Sequence, residues 1–123
     1  SPDGKLLSYL YPESPDPFAP PNRIAVAEFL SGKIIKTFSF QPGGTVPTMV
    51  RWSADGSSIF YSLNVSNVSN IWQQSIAGGA PKQVTDFKDS LITAFAFSRD
   101  GKQLSCTRGT LVRDAVLIED VKK

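Results

Sequence analysis

Trp52-Ser53-Ala54-Asp55-Gly56 is followed at once by the β-prone run Ser58-Ile59-Phe60-Tyr61-Ser62-Leu63, and the same arrangement occurs twice more. Ser1-Pro2-Asp3-Gly4 leads into Leu6-Leu7-Ser8-Tyr9-Leu10, and Phe97-Ser98-Arg99-Asp100-Gly101 leads into Gln103-Leu104-Ser105-Cys106-Thr107. The three serines lie 52 and 45 residues apart. Glycine reaches positive φ without a Cβ clash, and the aspartate before it can accept from nearby backbone N–H groups. Each copy therefore reads as a turn that delivers a strand.

Aligned from their first serine, the copies stay in register. Leu7, Ile59 and Leu104 fall in one column, and Tyr9, Tyr61 and Cys106 fall in the next, two residues on. A period of two keeps both columns on one sheet face. The opposite face is also partly apolar (Leu10, Phe60). That pattern suits a sheet covered on both sides. The middle unit predicts four strands: Met49–Trp52, Ser58–Leu63, Asn70–Ile76 and Lys82–Phe87. Between them lie the Asp-Gly turn, a polar loop over 64–69, and the turn cluster Ala77-Gly78-Gly79-Ala80-Pro81. No stretch keeps a helical period.

Short strands, Asp-Gly turns and a repeat of this length are the signature of β-propeller blades. The fold class expected is all-β: four-stranded antiparallel blades, about two and a half of them, in an incomplete propeller. The units are a partial blade over 1–40, a full blade over 48–87 and a partial blade over 93–119. Three, four and three strands are expected, the last being Asp114–Glu119. The final unit lacks its outermost strand. This predicts the C-terminal portion of a larger propeller or, alternatively, a fragment cut at both ends.

With 41% hydrophobic and 20% charged residues, the composition is that of an ordinary globular domain. Thirteen basic and eleven acidic residues are interspersed, so the charge pattern of a nucleic-acid binder is missing. No apolar run approaches a membrane helix. Partners are therefore expected to be a protein or the remaining propeller blades, with no nucleic acid and no membrane insertion. Self-association through open blade faces is a further expectation.

There is no histidine, no Gly-x-Ser-x-Gly elbow and no phosphate-loop spacing. Catalytic, metal and cofactor residues are expected to be absent. Asp3, Gly4, Asp55, Gly56, Asp100 and Gly101 read as structural turn residues, because a residue placed alike in every unit serves the unit. Cys106, the one cysteine, reads as a small buried side chain. A reactive thiol would need a cationic neighbour, and Arg108 has the same strand parity. Trp52 and Trp72 occupy repeat-matched positions and read as core. Asn64-Val65-Ser66 and Asn67-Val68-Ser69 match the N-glycosylation pattern but read as polar loop.

In an up-and-down blade, alternate connections emerge on one face. That puts residues 12–22, 41–47, 64–69, 88–91 and 108–113 on a common rim, where recognition usually resides. The binding candidates there are Tyr11, Phe18, Arg23, Asn67, Arg108 and Arg113. The first loop holds five prolines between Pro12 and Pro21. Stiff chains lose less entropy on docking, so this loop is a candidate recognition element. The alternative is that it packs passively on a neighbouring unit.

Three motifs in order carry a family resemblance: aromatic-Ser-x-Asp-Gly, then Asn70-Ile71-Trp72, then Gly78-Gly79-Ala80-Pro81-Lys82-Gln83-Val84-Thr85. Together they resemble the TolB-like, WD-related propeller repeat over nearly the whole chain. Ala54 and Arg99 depart from the family's usual proline, and Ser31-Gly32-Lys33 replaces its Gly-Gly-x-Pro turn. The ending Asp114–Asp120 resembles bacterial proteins that carry this propeller behind a serine/threonine kinase or a winged-helix regulator. The resemblance implies a non-catalytic sensor or scaffold, and a periplasmic or extracytoplasmic place is the one it favours. The same repeat also occurs as the gating propeller of prolyl-oligopeptidase-type serine peptidases, which is the alternative.

Overall fold

The computed structural model describes residues 1–40, 44–45, 47 and 49–110. Nine strands form three antiparallel sheets, with no helix among the described residues. The first sheet holds β1 (Leu6–Tyr11), β2 (Arg23–Glu28) and β3 (Ile34–Ser39) in that order. The second holds β4 (Val50–Trp52), β5 (Ser58–Val65), β6 (Val68–Ser75) and β7 (Lys82–Gln83). The third pairs β8 (Leu91–Phe97) with β9 (Leu104–Gly109). Each strand pairs with its sequence neighbour. The expected strand Asp114–Glu119, and Arg113 with it, lie outside the described residues.

The sheets stack with the second in the middle. Ile24, Ile59, Tyr61 and Leu63 form a buried cluster between the first and second, joined by Leu10, Phe38, Trp52 and Trp72. Phe60, Ile71, Ile92 and Phe95 form another between the second and third, joined by Leu104 and Cys106. β5 is thus buried on both faces, as the doubly apolar pattern of residues 58–63 predicts. The two tryptophans and Cys106 lie where the alignment puts them, packed against these clusters.

In the second and third sheets the repeat columns point toward the preceding sheet. Ile59 and Tyr61 face the first sheet, and Leu104 and Cys106 face the second. In the first sheet the matching Leu7 and Tyr9 stand 48% and 36% exposed, against 0% and 1% for Ile59 and Tyr61. Over its two described strands the outward face of the third sheet carries Ala94 paired with Thr107 and Ala96 paired with Ser105, all exposed. Those side chains are small or hydroxylated, so the face is open without being strongly apolar.

Two boundaries shift for local reasons. The expected polar loop over 64–69 is a tight hairpin: β5 and β6 pair out to Val65–Val68. Ser66 and Asn67 make the turn with φ of 52° and 64°, the left-handed pair that matches strand twist. The expected fourth strand Lys82–Phe87 pairs as a ladder only over Lys82–Gln83. Beyond it the chain is held by a side chain. Asn70 Nδ2 donates to the Phe87 carbonyl at 3.1 Å, its Oδ1 accepts from Phe87 N–H at 2.7 Å and from Thr85 Oγ1–H at 2.9 Å, and Thr85 Oγ1 accepts from Ile71 N–H at 2.9 Å.

The three Asp-Gly turns are built alike and stand side by side. Gly4, Gly56 and Gly101 have φ of 72°, 72° and 71°. A Cβ on Gly56 would lie 3.6 Å from Pro2 Cδ, and one on Gly101 would lie 3.2 Å from Ala54 Cβ. One turn's second residue therefore abuts the next turn's glycine. Gly101→Val should lower stability by roughly 1–3 kcal/mol, since a β-branched residue is strongly disfavoured there. Gly4→Val, which meets open space, should cost less. Thermal melts of the two variants check this, and a Gly101→Val melting point equal to the wild type would refute the contact.

Candidate functional site

The stacked turns fix one rim of the assembly. The opposite end of β1 carries the proline-rich loop, and that of β5 the two-residue Ser66-Asn67 hairpin turn.

At the first sheet, Tyr11 and Arg23 are register partners at the mouth of the proline-rich loop. The Arg23 guanidinium clasps Glu13 bidentately, with Nη2 at 2.8 Å from both carboxylate oxygens and Nε at 3.1 Å from Oε2. It also donates to Ser39 Oγ. Glu13 N–H donates to Asn22 Oδ1 at 2.8 Å, and Asn22 N–H to the Tyr11 carbonyl at 3.1 Å, which closes the loop's base. Tyr9 and Tyr11 stack tilted, 6.2 Å apart. The tip is braced from within: Phe18 N–H donates to Asp16 Oδ1 at 3.0 Å and Ala19 N–H to the Asp16 carbonyl at 3.0 Å. Phe18 itself is 91% exposed and, among the described residues, packs on no other unit.

At the other end of the rim, Arg108 is a structural clamp as much as a surface group. Its guanidinium carbon sits 3.7 Å from the Phe87 ring centroid, a cation–π contact. Nη2 donates to Asp89 Oδ1 at 2.8 Å and to the Asp89 carbonyl at 2.7 Å. Asn67 is exposed at the β5–β6 hairpin tip, and Ser69 N–H ties that hairpin to the Ser90 carbonyl at 3.0 Å. Tyr11 and Arg23 are thus brought together with Glu13, while Arg108 works with Phe87 and Asp89. Arg113 lies outside the described residues.

The turn carboxylates are committed to their own turns. Ser1, Ser53 and Ser98 donate their hydroxyls to Asp3, Asp55 and Asp100 at 2.7, 2.6 and 2.5 Å. The same serine oxygens accept from the N–H groups of Leu6, Ser58 and Gln103. The serine was legible only as part of a motif, and its double role emerges from the geometry. The Ser53 hydroxyl, then the Ser57 backbone N–H and hydroxyl, hold the Asp55 carboxyl down to about 2 from the usual 3.8. The Ser1 and Ser98 hydroxyls, each with a backbone N–H, lower Asp3 and Asp100 in the same direction.

A carboxyl with a depressed folded-state pKa stabilises the fold above its unfolded value and loses that contribution as pH falls through the folded one. Melting temperature should therefore hold from pH 7 to about 5 and fall between about 4 and 2. Asp55→Asn should flatten part of that acid limb. An acid limb of the same steepness in the variant would show that Asp55 has no share in it.

Sequence reasoning missed two exposed apolar residues at the turn rim, Phe29 at 62% and Leu30 at 97%. It also missed Asn70 as the pin for residues 85–87, for which the pairing of Asn-Ile-Trp with Val-Thr was the available signal. Among the described residues no group of three His, Cys, Asp or Glu side chains is placed to hold a metal ion. No described helix is long and apolar enough to cross a membrane.

No family model matches the chain, and no curated protein matches it.

Proposed function

We propose that the three sheets are blades of a TolB-like β-propeller and that the chain is a non-catalytic binding module. It serves as a sensor or scaffold within a larger bacterial protein, such as one bearing a kinase or a transcriptional regulator. Repeated turns stacked against one another, and repeat columns that face the preceding sheet in the second and third sheets, support the architecture. The observation that carries the function is Phe18, held almost fully exposed at the tip of a stiff, internally bonded loop. Exposing an aromatic costs free energy that folding could have recovered, and an aromatic on a preorganised loop has the character of a binding anchor. The chain's carboxylates with lowered pKa are bound up in turns, which leaves them no role as acids or bases.

The test is to select peptide ligands by display on the immobilised chain and measure them against Phe18→Ala. Affinity should fall at least tenfold with no change in melting temperature, as for an aromatic hot spot. Ligands that all bind the variant equally would remove the loop from the site. Hydrolysis of peptide or ester substrates by the pure chain, abolished by a point substitution within it, would overturn the non-catalytic reading.

A further inference from the structure

We propose that the outer edge of β3 is a docking site for an extended segment of a protein partner, one that alternates carboxylate and β-branched side chains and adds to the first sheet as a further strand. The inference rests on the first sheet alone. It needs neither the propeller reading nor the loop that carries Phe18.

β3 is the last strand in the order β1-β2-β3, and among the described residues no strand pairs with its other side. In an antiparallel pair every second residue turns its N–H and carbonyl away from the partner. A strand so placed offers those groups to an extended chain. β3 is six residues long and pairs with β2 from Ile34 to Ser39. Ile34, Ile35, Lys36, Thr37 and Ser39 are all exposed, so both faces of the edge are open to solvent. The outer strand of the second sheet is unlike it. β7 pairs over two residues, directly after Pro81, and beyond it Asn70 holds the chain.

A bulge sets the pattern of side chains along this edge. Glu28 N–H donates to the Lys33 carbonyl at 2.9 Å, Ala27 pairs with Ile34, and Val26 pairs with Lys36, so Ile35 is the extra residue. Successive residues of β2 face opposite ways. Lys33 and Lys36 therefore fall on one face, with Glu28 and Val26. Ile34 and Thr37 fall on the other, with Ala27 and Ala25. Without the extra residue, a spacing of three would put the two lysines on opposite faces. Cross-strand neighbours share a face. A strand added here meets two cations on one side and two β-branched side chains on the other. Carboxylates at alternate positions answer the first, and β-branched residues between them answer the second.

The same lysines disfavour a second copy of this chain as the occupant. Lysines and bulges on an edge are devices against pairing with its own kind. Two β3 edges brought together about Lys36 set like charges directly opposite, which is destabilising. Among the described residues neither Lys33 nor Lys36 has an ion-pair partner, so both charges are available to an acidic strand. A guarded edge has no use for Ile34 and Ile35, which stand 48% and 40% exposed beside the lysines. A partner strand gives them apolar contact.

The experiment is calorimetric titration of the full chain with an acetylated octapeptide alternating valine and glutamate, and with its counterpart alternating valine and lysine. The glutamate peptide should bind saturably and the lysine peptide should not. Lys33→Glu combined with Lys36→Glu should weaken the first roughly tenfold and admit the second, since two exposed charge pairs turn from attraction to repulsion. Lys102→Glu, a like charge change away from the edge, should leave binding within about twofold. Circular dichroism confirms folding, and Lys36→Glu alone serves should the double variant unfold. Backbone pairing has its own signature. Methylating the peptide nitrogens of the valines, or instead those of the glutamates, removes the donors on one side of the added strand only. One of these two peptides should bind like the parent and the other should not bind. No saturable binding of the glutamate peptide would overturn the proposal. So would equal binding of the lysine peptide, or both methylated peptides binding like the parent, which signals a site that adds no strand. A chain that sediments as a dimer and dissociates as the peptide binds would give the edge to a second copy instead. Ligands that depend on Phe18 are read on a different element, so either result stands without the other.

Discussion

Phe95→Ala should destabilise the protein by about 3–5 kcal/mol, the largest loss expected from any single truncation here. Phe95 is 3% exposed and is one of the four buried residues of the cluster joining the second and third sheets. Phe97 meets it edge-on at 6.4 Å and packs on Phe60 at 4.5 Å, so three rings form the joint between the sheets. Removing the Phe95 ring leaves a cavity that rigid strands on both sides cannot close, and cavity and transfer terms add. Domains of this size are stable by only about 5–15 kcal/mol in all, so the variant would be marginal. Leu30→Ala is the matched control: an apolar residue 97% exposed, whose truncation should change stability by less than about 0.5 kcal/mol. Urea denaturation of both variants checks the pair. A Phe95→Ala midpoint near that of the wild type would mean that the third sheet is not held by this cluster.

What made the sheets legible was repetition. Three aligned Asp-Gly turns set the register, and register put Ile59 and Phe60 on opposite faces. The columns Leu7–Ile59–Leu104 and Tyr9–Tyr61–Cys106 could be read before any geometry, because period two is a property of the strand itself. The polar stretch over 64–69 misled for a physical reason. Asn and Ser are the residues of long loops, but they are also the ones that tolerate left-handed φ, and Ser66 and Asn67 use that tolerance in two residues. The site was less legible. Tyr11 and Arg23 could be placed at a common rim, but Glu13 as the partner of Arg23 was hidden inside a proline-rich loop whose path no periodicity governs. Arg108 reads from the sequence as a candidate for the binding rim and for a cationic neighbour of Cys106. Its engagement with Phe87 and Asp89 depends on a chain path that a side chain, Asn70, sets.

That dependence makes Asn70→Leu the second large expected effect. Leucine matches asparagine in size and keeps none of its hydrogen bonds. The Phe87 N–H and carbonyl and the Thr85 hydroxyl each lose a part-buried partner. A typical intramolecular bond contributes about 1 kcal/mol net, and a stranded polar group costs more. The variant should lose about 2–4 kcal/mol. Asn70→Asp keeps both acceptor contacts but sets a carboxylate oxygen, which cannot donate, against the Phe87 carbonyl, so it should lose more than one bond's contribution of about 1 kcal/mol. The consequence reaches the rim. Once residues 85–87 are unpinned, the Phe87 ring no longer lies fixed beneath Arg108, and the clamp on Asp89 loosens. Hydrogen exchange at the Phe87 amide should accelerate in Asn70→Leu before global unfolding does. Unchanged protection there, or a stability within about 0.5 kcal/mol of the wild type, would show that backbone pairing alone carries the fourth strand. In that case the link from the Asn-Ile-Trp motif to the binding rim would not exist.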